Sequence, residues 1–123
     1  MKKSGILLMI TLSGFMLACT YDTIAPKEVE VPENVSFNVD VIPIFNDNDC
    51  NKSGCHNSGG IQPDLTPNNA YISLTFFGYV DTDFPEESEL YKVILPTGSM
   101  AEFANDQDRA IILKWIEQGA LDN

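Results

Sequence analysis

Apolar residues in the second half of this chain recur at the spacing of amphipathic helices. The clearest stripe lies between residues 106 and 118 and consists of Ile111, Ile112, Trp115 and Ile116. Asn105 or Asp106 is placed to cap this helix, and Gly119 is placed to end it. No stretch of the sequence alternates convincingly between apolar and polar residues, as a half-buried strand would. The pattern therefore predicts an all-α fold.

Two further short helices are predicted earlier in the chain. Asp40 can cap the first, and Pro43 then falls in its first turn, where a missing N–H costs nothing. Thr66 and Pro67 suit the start of the second, as N-cap and first helical residue, and Gly78 suits its C-terminal cap. The apolar residues of these two helices are Val41, Ile42, Ile44, Phe45, Ala70, Leu74 and Phe77.

A fourth short helix is expected before the last one, and its apolar residues are Leu90, Val93 and Ile94. Asp83 and Glu86 resemble a capping pair ahead of it. The helix should stop near Leu95, because Pro96 disfavours helical geometry in the residue before it. Four short helices joined by long loops bury little apolar surface, and a bound prosthetic group would add to the apolar surface that is buried.

The N-terminus resembles a secretory signal. Two lysines precede a mostly apolar run over residues 5–17, which is shorter than the about 20 residues of a membrane-spanning helix. The run ends before Cys19 in a loose match to a bacterial lipobox, whose cysteine becomes lipidated. We therefore expect a signal peptide over 1–18, a tether over 19–34 and one domain over 35–123, with an uncleaved anchor helix as the alternative.

The charge balance narrows the choice of partners. The 123 residues carry 18 acidic and 7 basic side chains, for a net charge of -11, and 44% of the residues are hydrophobic. Such a surface repels phosphate backbones, so nucleic acid is not an expected partner. A docking protein would instead present a basic face, although acidic clusters can also be simple solvated surface.

Cys50, Cys55 and His56 carry the candidate chemistry. The usual attachment motif for haem c is C-x-x-C-H, in which two thiols add to the haem vinyl groups and the adjacent imidazole reaches the iron. Here four residues rather than two separate the cysteines. This wider C-x-x-x-x-C-H form is known among c-type cytochromes.

Three other uses of these residues compete with an electron-carrying haem. Cys50 and Cys55 could form a disulfide in an exported binding lipoprotein without haem. The two thiols and His56 could bind zinc, with Asp47 or Asp49 as the fourth ligand that a structural site needs. A haem whose sixth position stays open would instead suit a sensor or a peroxidase-like protein.

Met100 is the candidate for the ligand opposite the histidine. A low-spin electron carrier needs such a ligand, and a thioether there raises the reduction potential. Met100 is the only methionine that remains if the chain is cleaved before Cys19, and His56 is the only histidine. Met100 lies in a polar loop with no obvious apolar face, and a lone methionine can also serve as core filling.

Taken together, residues 39–123 resemble the small class I-type cytochrome c domains of bacterial lipoproteins, particularly those of Bacteroidetes-like bacteria. The segments that carry the resemblance are residues 40–45, 50–56, 78–80, 88–91 and 115–120. The haem motif is the specific part, and the Trp-Ile-x-x-Gly-Ala at 115–120 is moderately specific.

The resemblance implies a monohaem electron carrier rather than an enzyme, with the first and last helices crossing beside one covalent haem c. It implies His56 and Met100 as the axial ligands and the Pro63 carbonyl as acceptor for the imidazole N–H. Redox partner proteins and a lipid-anchored position in the cell envelope, facing the periplasm or the cell surface, are also implied. We further expect haem-side packing, or alternatively plain helix–helix core, from Phe45, Ile112, Trp115 and Ile116.

Overall fold

Helices are the only regular elements in residues 28–123, the range that the computed structural model describes. The four α-helices are α1 (Ile42–Asp47), α2 (Ala70–Phe76), α3 (Glu89–Ile94) and α4 (Asp106–Glu117). The all-α class and the expectation of four short helices are therefore confirmed for these residues. Within the same range, no helix is long and apolar enough to cross a bilayer. The predicted signal peptide and Cys19 lie outside the described residues.

The first helical segment begins one turn earlier than predicted, and Ser36 rather than Asp40 caps it. A π-helical turn over Phe37–Val41 runs directly into α1. The Ser36 hydroxyl accepts the Val39 N–H at 3.2 Å, while the Asp40 carboxylate accepts the Ser36 N–H at 2.7 Å. This reciprocal pair satisfies free backbone donors at the helix start, which explains why the helix begins there. Pro43 does lie in the first turn of α1, as predicted.

The second helix begins at Ala70 instead of immediately after Thr66. The buried Asp64 carboxylate accepts both the N–H and the hydroxyl of Thr66, at 3.0 and 2.6 Å, and the Asn69 side-chain amide at 3.0 Å. The threonine hydroxyl donates to Asp64 and accepts the Asn69 side-chain amide at 3.3 Å, and it bonds no main-chain N–H of α2, so it does not cap this helix. At the other end, Gly78 adopts a φ of 77° just after the last turn, and this part of the prediction is confirmed.

The third helix follows Ser88, and the expected capping pair of Asp83 and Glu86 is wrong. The Asp81 carboxylate instead accepts the N–H groups of Asp83 and Phe84, both at 3.0 Å. A 3-10 turn over Pro85–Glu87 then leads into α3. This helix ends at Ile94, and the next residue is extended, as expected from the proline that follows.

The last helix has the predicted ends. The Asn105 side chain accepts the N–H groups of Gln107 and Asp108, and the Asp108 carboxylate accepts the Asn105 N–H at 3.0 Å. Gly119 adopts a φ of 94° at the far end. A complete capping box and a glycine exit are both local features, which is why sequence reasoning located this helix accurately.

The apolar stripe of α4 forms the centre of the core. Trp115 and Ile116 are fully buried, and Ile112 is 1% exposed. The Trp115 ring lies 4.9 Å from the Phe37 ring, measured between centroids, so the last helix packs against the first helical segment. The indole N–H donates to the Leu121 carbonyl at 2.9 Å. Each buried isoleucine contributes about 1.5–3 kcal/mol to folding.

The end of the predicted tether lies along α4 and is held by two glutamine side chains. The Gln107 amide accepts the Glu30 N–H at 3.0 Å and donates to the Glu30 carbonyl. Three turns further on, the Gln118 amide accepts the Val35 N–H at 2.9 Å and donates to the Glu33 carbonyl at 2.5 Å. The described part of the chain therefore begins near the start of α4.

Candidate functional site

One mostly apolar cavity of about 390 Å³ brings the predicted chemistry-bearing residues together. Cys50, Cys55, His56, Pro63 and Met100 all line it. Its volume lies within the roughly 300–1,000 Å³ that is usual for small-molecule and cofactor sites. The helices supply most of the apolar wall, namely Phe45, Leu74, Leu90, Val93 and Ile94.

The loop after α1 folds back on itself and brings both cysteines to this wall. The Cys50 N–H donates to the carbonyl of Phe45 in α1 at 2.9 Å, which ties the start of the loop to the helix. The His56 N–H donates to the Cys50 carbonyl at 3.0 Å, and the Cys55 N–H donates to Lys52 at the same distance. Gly54 adopts a φ of 85°, which glycine reaches without steric cost. The four residues between the cysteines thus form a closed turn that keeps thiols and imidazole adjacent.

Main-chain carbonyls orient the His56 imidazole. Its Nδ1 atom lies 3.1 Å from the carbonyl oxygen of Ile61 and 3.1 Å from that of Pro63. A carbonyl can only accept, so these partners assign the proton of the neutral ring to Nδ1. The Nε2 lone pair is then available to a ligand. Pro63 is the residue whose carbonyl the cytochrome resemblance implies as acceptor.

Both cysteines at the cavity are free thiols, and they differ in environment. Cys50 and Cys55 are each partly buried. Burial raises the pKa of the Cys50 thiol, and the nearby negative charge of Asp108 raises it further. The protein environment therefore favours the neutral thiol at position 50.

Met100 has an apolar surrounding that the sequence did not reveal. Its side chain is half-buried and packs against the core, although its loop neighbours Pro96, Thr97 and Ser99 are exposed. The Met100 N–H donates to the Val93 carbonyl at 2.8 Å, which returns the loop to the last turn of α3. The thioether therefore reaches the cavity wall from a segment far along the chain from His56.

The four residues expected either beside a haem or in the helix–helix core divide between the cavity and the core. Phe45 lines the cavity, whereas Ile112, Trp115 and Ile116 do not and lie in the helix–helix core instead. For these three residues the alternative of helix–helix core is the one found, and for Trp115 the ring of Phe37 is the packing partner. Sequence reasoning missed the contribution of α3 to the wall. Its Leu90, Val93 and Ile94 have the spacing of one helical face, and that spacing was the available signal.

The side chains at this site that can bind a metal are two thiols, one imidazole and one thioether, together with the carboxylates of Asp49 and Glu89. Within residues 28–123, no group of three or more His, Cys, Asp and Glu side chains is placed to hold a metal ion. A structural zinc site would need four such ligands. Comparison of this chain with known protein families, curated proteins and solved structures found no match.

Proposed function

We propose that this protein is a membrane-tethered monohaem c-type cytochrome that carries single electrons in the cell envelope. The observation that carries the proposal is the convergence of Cys50, Cys55, His56 and Met100 on one mostly apolar cavity. The first three are close in sequence, but Met100 reaches the cavity only through the fold. Two thiols, an imidazole and a thioether are the donor set of a covalently attached haem with two axial ligands.

Cys50 and Cys55 would hold the haem covalently. Each free thiol would add its S–H across one vinyl C=C bond of the haem, with sulfur bonding to one carbon and the hydrogen going to the other. The addition needs no oxidant or reductant.

His56 and Met100 would be the axial ligands. The carbonyls of Ile61 and Pro63 hold the proton on Nδ1 and leave Nε2 free to bind, and such partners fix the ring orientation and raise its basicity. A thioether ligand raises the reduction potential relative to a second histidine. A methionine already at the cavity wall favours a closed sixth position over the sensor or peroxidase-like alternative.

The bound haem would supply the one-electron couple of its iron, and the protein would control access to it. The apolar wall from α1, α2 and α3 excludes water. Asp49 and Glu89 also lie at the cavity wall, where Lys52 and Lys92 pair with them at 3.6 and 4.0 Å. The acidic character that a partner would meet is therefore that of the whole chain, with its net charge of -11. A redox partner with a basic face would therefore be favoured. Lipidation of Cys19 would keep the carrier at a membrane.

A reduced pyridine haemochrome spectrum of denatured, washed protein tests this proposal. The full chain is expressed in an exporting host whose haem maturation machinery accepts the wider cysteine spacing. We expect a haem c spectrum at about one haem per chain, and none from the Cys50→Ala/Cys55→Ala double variant. Ser53→Ala and Ser58→Ala are matched controls in the same loop and should retain the haem.

Absence of haem from the unmodified chain would contradict the proposal. The disulfide alternative would then be tested on the same sample by mass spectrometry under non-reducing conditions. A chain two hydrogens lighter, with Cys50 and Cys55 in one cross-linked peptide, would identify a haem-free lipoprotein. Stoichiometric zinc without iron would identify the zinc alternative.

A further inference from the structure

The guanidinium of Arg109 bonds to the chain on both sides of the segment that carries Met100. Its Nε donates to the Ile94 carbonyl at 2.6 Å, and its Nη2 donates to the Ala101 carbonyl at 3.0 Å. Ile94 is the last residue of α3 and Ala101 directly follows the methionine. The side chain of Arg109 is only 14% exposed, so these bonds are largely shielded from water.

Residues 95–100 have few other attachments to the fold. Pro96, Thr97 and Ser99 are exposed, so the apolar packing of this segment comes from the partly buried side chains of Leu95 and Met100 alone. Its main-chain bonds include Gly98 N–H to Leu95 at 2.7 Å, within the segment itself. Met100 N–H to Val93 is the bond that returns it to α3. The Phe103 N–H also donates to the Met100 carbonyl at 3.1 Å. The bonds from Arg109 add side-chain anchors at the carbonyls of Ile94 and Ala101, on either side of the segment.

We propose that Arg109 is a positioning residue that holds Met100 at the cavity wall by bonding the carbonyls on either side of residues 95–100. For its consequence at the iron, this inference rests on the proposed haem function. In the haem protein, Arg109 sustains binding of the Met100 thioether at the sixth position. In the chain without haem, it keeps the same segment against α3.

The geometry requires a guanidinium and not merely a positive charge. One planar group bridges the two carbonyls through different nitrogens, and an ammonium group offers only a single donor centre. The ion pair of Arg109 with Asp106 is a separate contact at 2.8 Å, and the Asp106 side chain is 84% exposed. Because water surrounds the Asp106 carboxylate, this ion pair contributes little. Asp106→Asn thus separates the ion pair from the carbonyl bonds.

The test compares Arg109→Gln and Arg109→Lys with two controls on the same helix, Asp106→Asn and Lys114→Gln. All are prepared as full chains, and haem content is measured first. We expect all four to retain the haem. The two Arg109 variants should lose most of the methionine-to-iron charge-transfer band and bind added imidazole about tenfold more tightly, the equivalent of one lost charge-assisted hydrogen bond. The controls should match the unmodified protein.

Hydrogen exchange of the Met100 amide is measured on the same proteins and does not depend on haem. We expect exchange about tenfold faster in both Arg109 variants, and unchanged exchange in the controls. Equal exchange in Arg109→Gln and Lys114→Gln would overturn the proposal, as would full rescue by Arg109→Lys. If the unmodified chain carries no haem and exchange is still faster in the Arg109 variants, the positioning role is upheld and the cytochrome function is refuted. If the protein carries haem and its charge-transfer band survives Arg109→Gln, the cytochrome function is upheld and the positioning role of Arg109 is refuted.

Discussion

The Nδ1 atom of His56 lies 3.1 Å from the carbonyl oxygen of Pro63, seven residues further along the chain. The contact joins the end of the cysteine-containing turn to the loop that leads into α2. It involves main-chain oxygen, so it depends on the path of the loop and not on the proline side chain. It also decides which nitrogen of the only histidine remains available to bind a ligand.

The His56 ring is expected to be the Nδ1–H tautomer whenever it is neutral. Two carbonyl oxygens at 3.1 Å can be satisfied only by a donor on Nδ1. Nitrogen NMR of the haem-free chain, labelled at histidine, distinguishes the two tautomers directly. A proton on Nε2 would contradict the arrangement and would leave the Pro63 carbonyl without this donor.

Replacement of Met100 by leucine should leave haem attachment intact and lower the reduction potential. Leucine has a similar volume and should cost less than about 1.5 kcal/mol in stability. It cannot bind iron, so the potential-raising thioether is lost. Redox titration and the methionine charge-transfer band provide the measurement. Phe84→Leu, at an exposed side chain outside the cavity wall, is the control and should change neither.

Asp64 should make folding sensitive to acid. Its burial alone would raise its pKa, but hydrogen bonds from Thr66 and Asn69 hold the pKa below the ordinary 3.8. The stability it contributes is therefore complete above the ordinary pKa and is lost as the pH falls through the lowered one. Asp64→Asn should cost about 1–3 kcal/mol at neutral pH.

Urea unfolding followed by Trp115 fluorescence, at neutral and acidic pH, measures this effect. The difference between Asp64→Asn and the unmodified protein should shrink as the pH falls. Asp122→Asn removes an exposed carboxylate near the end of α4 and serves as the control. A constant difference across pH would show that the Asp64 charge does not carry the stabilisation.

Asp108 should suppress ionisation of the Cys50 thiol before haem is attached. Burial is the larger cause of the raised pKa, and the Asp108 carboxylate adds to it. Asp108→Asn keeps an oxygen for the Asn105 N–H but removes the charge. We therefore expect a partial fall of the Cys50 pKa towards the ordinary 9.0.

The pH dependence of iodoacetamide alkylation measures this pKa in a haem-free Cys55→Ser background. Asp106→Asn removes a neighbouring carboxylate from the same helix turn, but one that is well exposed. It should leave the alkylation profile of Cys50 unchanged. An equal shift in both variants would mean that general surface charge, and not the Asp108 contact, governs the thiol.

Features set by neighbouring residues were predictable from the sequence. Asn105 and Gly119 bound α4, and Pro96 ends α3, because capping and the steric effect of proline act over a few residues. The C-x-x-x-x-C-H spacing identified Cys50, Cys55 and His56 as the candidate site residues. The all-α class followed from the absence of strand alternation.

Features decided by competition between partners required the tertiary structure. Thr66 had the residue type of an N-cap, yet the buried Asp64 carboxylate recruited its hydroxyl and delayed α2. Trp115 had the size to cover a cofactor, yet Phe37 from the first helical segment packed against it. Local patterns name possible partners, and only the folded chain shows which of them is within reach.

The position of Met100 is the clearest case. Its sequence neighbours are polar and exposed, so periodicity gave it no apolar face. The bond to Val93 and the two carbonyls bonded by Arg109 bring it to the cavity wall. His56, which lies far from Met100 in the sequence, lines the same cavity. The sequence by itself determined the helices and the chemistry-bearing residues. The tertiary structure decided that these residues share one cavity, because that convergence depends on contacts between segments far apart in the chain.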